Sequence, residues 1–231
     1  MKKLYFILLV LAFILPEIML NVNKYAGVLI YAVIIGFILF DIEEYEFMNN
    51  SEKLLIFLMI IPLARISEFF INFNFFWKTA IFYFVICFLV ILYTGKFRIN
   101  PRYTKSKLWF LPISIIIGIC LSYIGSLYFD FGNHFELVFL IPFIVFSEEI
   151  LFRGMIQNIA KKEYGSMVSV ICVSLLFAIF SLSFGFKFAY FMFAANLIMC
   201  LVYDRTENIW LTIPINLCIN LFLFVMHMPY L

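Results

Sequence analysis

Apolar runs about 20 residues long recur along the whole chain, separated by short polar or glycine-containing breaks. A membrane-crossing helix needs about 20 mostly apolar residues. Nine stretches qualify, at approximate limits 4–20, 25–41, 54–73, 76–93, 108–128, 136–158, 166–184, 186–203 and 209–229. The first has a basic start and an apolar run, as a signal peptide does. Pro16-Glu17-Ile18-Met19 follows instead of a small-residue cleavage site, so it reads as a retained helix. Eight spans is the alternative, if the first is removed or one is re-entrant. The pattern predicts an all-α, polytopic transmembrane helical bundle of about eight to nine spans. No internal repeat is evident.

Composition agrees. The chain has 231 residues, of which 66% are hydrophobic and 13% charged, and its mean hydropathy is +1.09. A soluble domain is about 45–50% apolar and about 25% charged. A net charge of +2 gives no reason to expect nucleic acid. Cys87, Cys120, Cys172, Cys200 and Cys218 are scattered through apolar runs and read as small hydrophobes, not a disulfide framework.

Charge sets the expected orientation. With the N-terminus inside, Lys2, Lys3, Lys53, Lys96, Arg98, Arg102, Lys105, Lys107, Arg153, Lys161, Lys162 and Arg205 fall on the inner side, and only Lys24, Lys78 and Lys187 on the outer. That bias predicts a cytoplasmic N-terminus and an outside C-terminus. The acidic segment 41–52 reads as a solvated inner loop. The basic loop 95–107 divides the chain into N-terminal transmembrane helices, 1–107, and a core of five spans, 108–231.

Two adjacent glutamates, Glu148 and Glu149, sit inside the sixth stretch. An ionisable group at the bilayer centre costs roughly 2.5–3.5 kcal/mol on insertion scales, and such groups normally face a polar cavity with partners. Glu149 and Arg153 are four apart and meet on one helix face, which Gln157 continues. Glu148 points about 100° away, leaving it available as a general base. The bland alternative is a salt-bridged packing site. Counting from the turn at 161–166, Glu148 and Ser181 lie about 20 and 22 Å along antiparallel helices. Asn216 and Asn220, also four apart, lie about 12 and 18 Å into the last span. Singly, such a serine back-bonds to its own helix and such asparagines glue helices together. Their common depth points to a shared polar centre.

These residues resemble a known family. Glu148-Glu149-Ile-Leu-Phe-Arg153-Gly154 resembles the EExxxR motif of the CPBP family of CAAX prenyl endopeptidases, bacteriocin-processing and Abi-type intramembrane proteases. Leu176–Ser181 is similar to its FxxxH motif, Tyr203–Trp210 to its RT-containing turn, and Asn216-Leu-Cys-Ile-Asn220 to its HxxxN/B motif. The fit covers about 136–222. Ser181 and Asn216 stand where the family has histidine. The two histidines of the chain, His134 and His227, read as an outer-loop and an interfacial residue.

The resemblance implies peptide-bond hydrolysis in the membrane on a prenylated or transmembrane peptide, with membrane lipids as the other partner. It assigns the site to Glu148, Glu149, Arg153, Ser181, Asn216 and Asn220. A metal ion is implied by the family only; a zinc site wants three His, Cys or carboxylate ligands, and its histidines are missing. A glutamate-activated water survives better, with Glu148 as base, Ser181 positioning the water and the two asparagines donating to an oxyanion; because a neutral serine cannot shuttle protons as histidine does, weak or absent activity is expected. The alternatives are a catalytically inactive scaffold or binding protein of the same family, and a small transporter, for which Pro16, Pro62, Pro112, Pro142 and Pro214 would mark broken helices. Arg65 and Glu68 are three apart and read as an ion pair. Ser114, Gly118, Ser122 and Gly125 form a small-residue face for close helix packing.

Overall fold

A computed structural model describes residues 3–40, 42, 50–69, 75–97, 105–129 and 138–224. Among them the chain is helical throughout, as an all-α membrane bundle. The helices are α1 (Lys3–Ala12), α2 (Ile14–Val22), α3 (Lys24–Phe40), α4 (Asn50–Phe69), α5 (Phe75–Phe97), α6 (Leu111–Tyr128), α7 (Ile141–Glu148), α8 (Asn158–Tyr164), α9 (Ser166–Phe180), α10 (Phe186–Thr206) and α11 (Thr212–Phe224). A π-helical stretch, Glu149–Gln157, joins α7 to α8 as one continuous rod. Helical segments therefore fall at each of the nine expected places. Among the described residues, four helical segments are long and apolar enough on their own to cross a membrane: Lys3–Val22, Leu111–Tyr128, Ser166–Phe184 and Phe186–Thr206.

The prolines explain where helices break and begin. The α1–α2 break at Phe13 follows from Pro16, which has no N–H to offer the carbonyl of Ala12. Pro62 lies inside α4. Pro112, Pro142 and Pro214 do not interrupt spans. They sit in the first turns of α6, α7 and α11, where no helical hydrogen bond is lost. The turns α8–α9 and α9–α10 reverse at Gly165 and Gly185, both at positive φ, which only glycine adopts without strain.

Lipid-facing and core-facing sides are distinct. Leu4, Leu8 and Leu15 on α1–α2, and Leu29, Val33 and Phe37 on α3, are exposed, as are Ile113, Ile116, Ile119 and Tyr123 on α6. Surface this apolar is expected where lipid is the solvent. The small face of α6 is buried as expected: Ser114, Gly118, Ser122 and Gly125 pack against α11. One core holds Phe6, Val10 and Phe13, Leu54, Leu55, Phe57 and Leu58 on α4, Leu151 and Met155 in the π stretch, Leu176 on α9 and Ile219 on α11. Residues on both sides of the 107/108 division thus share it.

Candidate active site

The π stretch sets the centre of the site. Its i→i+5 bonding widens the helix, and such stretches occur frequently at functional sites. Glu149, Arg153 and Gln157 are fully buried on it, and Glu148, the last residue of α7, is nearly so. Arg153 Nη1 stands 3.2 Å from Glu149 Oε1, the pairing expected from their spacing. That contact is an ion pair without hydrogen-bond alignment, because Nη1 has no hydrogen-bond partner. Arg153 Nη2 donates to Asn196 Oδ1 on α10, and the guanidinium lies 5.3 Å from the Phe177 ring centre. Gln157 Nε2 donates to the carbonyl of Cys200 at 2.8 Å.

Glu148 is not isolated from this cluster. Asn216 Nδ2 donates to Glu148 Oε2 at 3.0 Å and to Glu149 Oε1 at 2.9 Å. The two hydrogens of an NH2 diverge, so one amide can serve two carboxylates that leave a helix about 100° apart. The second oxygen of Glu148, Oε1, accepts from the Tyr83 hydroxyl at 2.5 Å. Asn220 Nδ2 in turn donates to Asn216 Oδ1 at 2.8 Å and to the Asn216 carbonyl at 3.0 Å. Carboxylates accept only, so the amide polarity is fixed along the chain from Glu149 to Asn220. Every amide hydrogen of Asn216 and Asn220 is engaged inward. Donation to a substrate oxygen by either would require exchanging one of these bonds.

A cavity of about 150 Å³ opens beside Glu148. It is large enough for several waters. Its polar lining includes Glu148, Ser181, Asn220, Tyr83 and Arg65; its apolar lining includes Phe82, Phe152, Phe177, Phe180, Phe184 and Phe188. Ser181 and Glu148 line this one cavity together. The Ser181 hydroxyl donates to the Phe177 carbonyl of its own helix at 3.1 Å, next to the Phe180 carbonyl that accepts from Arg65. Asn216 lies behind Glu148, fully buried and outside the lining.

Arg65 reaches the same cavity from α4. Its Nε donates to Glu17 Oε1 at 2.8 Å, and its Nη2 to the Phe180 carbonyl at 2.8 Å. Tyr31 also donates to Glu17 Oε1, at 2.6 Å. The partner seen for Arg65 is therefore Glu17, a residue 48 positions away; the side chain of Glu68 lies outside the described residues, as do His134 and His227. Tyr83, Asn196 and Glu17 were not singled out from sequence. Glu17 and Asn196 carry the one available signal, a polar group inside an apolar run. Tyr83 carries none, since it is one of 13 tyrosines in an aromatic-rich chain.

The donor set does not fit a histidine-type metal centre. Among the described residues no three of His, Cys, Asp or Glu come together, and the space between the two carboxylates is bridged by the N–H groups of Asn216.

Residues 130–222 match the family model described as type II CAAX prenyl endopeptidase Rce1-like. The match covers less than half of the chain and is a likeness of that stretch. The stretch contains Glu148, Glu149, Arg153, Ser181, Asn196, Asn216 and Asn220, whereas Glu17, Arg65 and Tyr83 come from outside it. Together, the match and the four helices apolar enough to cross a membrane indicate an integral membrane protein. Searches among curated proteins and among solved structures found no match to the chain.

Proposed function

We propose that this protein is a CAAX-protease-like intramembrane endopeptidase that hydrolyses a peptide bond with a Glu148-activated water. One observation carries the reading: Glu148, held on both oxygens by Tyr83 and Asn216, lines a cavity of about 150 Å³ with aromatic walls inside an apolar bundle. A buried carboxylate with a fixed orientation and room for water at its side suits a general base. The aromatic walls suit a prenylated or otherwise apolar peptide segment. Glu149 and Arg153 brace the base, and Ser181 and Asn220 border the water. The chain passes the membrane about nine times, with the N-terminus on the cytoplasmic side.

A second reading has its own support. Ser181 and Asn216 stand where the family resemblance places histidines, and the hydrogens of both asparagines are committed. A binding protein that keeps the cavity without turnover would look the same. Purified protein in nanodiscs, given a synthetic prenylated CAAX peptide and followed by mass spectrometry, separates the two. Cleavage that disappears in Glu148→Gln supports the endopeptidase. Saturable binding of the peptide with no cleavage, unchanged in Glu148→Gln, supports the scaffold.

A further inference from the structure

We propose that Tyr83 is the acyl-oxygen donor of this site, a catalytic residue supplied by α5 from outside the matched stretch. The inference rests on the endopeptidase reading and assigns a step within it.

The geometry leaves few donors for the developing oxyanion. Asn216 gives both amide hydrogens to the two carboxylates, and Asn220 gives both of its hydrogens to Asn216. Ser181 donates to the Phe177 carbonyl, and Arg65 is drawn to Glu17 through Nε and to the Phe180 carbonyl through Nη2. The Tyr83 hydroxyl differs in kind, because its acceptor is Glu148 itself. Both groups line the cavity. The bond from Tyr83 is strong while Glu148 is a carboxylate and weak once Glu148 is protonated. Its hydrogen is therefore released at the moment it is needed.

The step balances as follows. Glu148 takes one proton from water, the water oxygen bonds to the carbonyl carbon, and the π pair of the C=O moves onto its oxygen. Tyr83, no longer facing a carboxylate, turns its O–H to that oxyanion. On collapse the C–N bond breaks, the proton held by Glu148 passes to the leaving nitrogen, and Tyr83 returns to the regenerated carboxylate. The products are a carboxylic acid and an amine, with water consumed.

The test uses the full-length protein in nanodiscs and the same prenylated peptide. Loss of one oxyanion donor lowers kcat by about 10²–10³-fold, so Tyr83→Phe is expected to fall in that range with KM within about two-fold. Replacing Tyr83 with fluorotyrosines of graded acidity keeps the ring and varies only the donor, and kcat should then track phenol acidity. A wild-type protein that cleaves, with kcat unchanged in Tyr83→Phe or flat across the fluorotyrosines, overturns the role of Tyr83 alone. If Tyr83→Phe does not fold, the fluorotyrosine series decides by itself. A wild-type protein with no turnover overturns both this role and the endopeptidase reading.

Discussion

Asn216 Nδ2 lies within hydrogen-bonding distance of Glu148 Oε2 and Glu149 Oε1 at once, 3.0 and 2.9 Å. A hydrogen bond to a charged group contributes about 1.5–3 kcal/mol, and here two share one donor. Asn216→Leu should therefore lose stability on the order of 2–4 kcal/mol, read as a lower unfolding midpoint in mild detergent. Asn216→Asp should lose more, because it sets a third carboxylate against the first two. Unfolding of Asn216→Leu at the wild-type midpoint would show that the amide does not hold the pair.

Arg153 is fully buried beside Glu149. Removing one partner of a buried pair costs about 3–5 kcal/mol, while replacing both is far milder. Arg153→Met should be severely destabilised, and Arg153→Met with Glu149→Gln should recover much of the loss. A double-mutant cycle with no coupling energy would contradict the pairing.

Gly118 and Gly36 should respond oppositely to alanine. A Cβ at Gly118 would come 2.9 Å from Cys218 Cβ and 3.0 Å from Ile215 Cα, whereas nothing lies within 4 Å at Gly36. Overpacking typically costs about 1–3 kcal/mol, so Gly118→Ala should push α6 from α11 and lower the melting temperature. Gly36→Ala should be neutral or gain up to about 1 kcal/mol from helix propensity. Equal effects at both positions would argue against the α6–α11 contact.

Ser181→His would place an imidazole on the cavity wall that Glu148 also lines. A positioned acid–base group contributes about 10²–10⁴-fold, so turnover of the prenylated peptide should rise by at least about ten-fold. A rise that persists in the Ser181→His, Glu148→Gln double variant would mean that the new histidine acts without the glutamate.

The parts of this site that sequence made legible are those governed by helical spacing. Glu149 with Arg153, Asn216 with Asn220, and the approach of Glu148 and Ser181 to one cavity all follow from rise and turn along a helix. The apolar runs likewise locate the helices, because lipid demands them. What spacing does not show is which helix lies beside which. Tyr83 meets Glu148 across 65 positions, and Arg65 meets Glu17 across 48; both depend on packing between helices. The full role of Asn216 is not legible from spacing either, since two carboxylates about 100° apart on a helix carry no sign of one amide shared between them. The ends of the prolines' effects were misplaced for a simpler reason: a proline at a first turn and one inside a helix look alike in an apolar run.

The π-helical stretch works as a clocking device. It carries more residues per turn than an α-helix does, and so sets the angle at which everything after it leaves. A residue deleted from a regular α-helix turns everything beyond it by about 100° and shifts it by about 1.5 Å. Deleting Met155, a fully buried residue between Arg153 and Gln157, would instead let the wide turn close towards α-helical bonding and take up much of that change. The bond from Gln157 to the Cys200 carbonyl, and that from Lys161 to the Asp204 carbonyl at 3.0 Å, would then survive better than they would in a regular α-helix. The π stretch is thus the place where the rod can lose a residue with the least loosening of the α8–α10 contact.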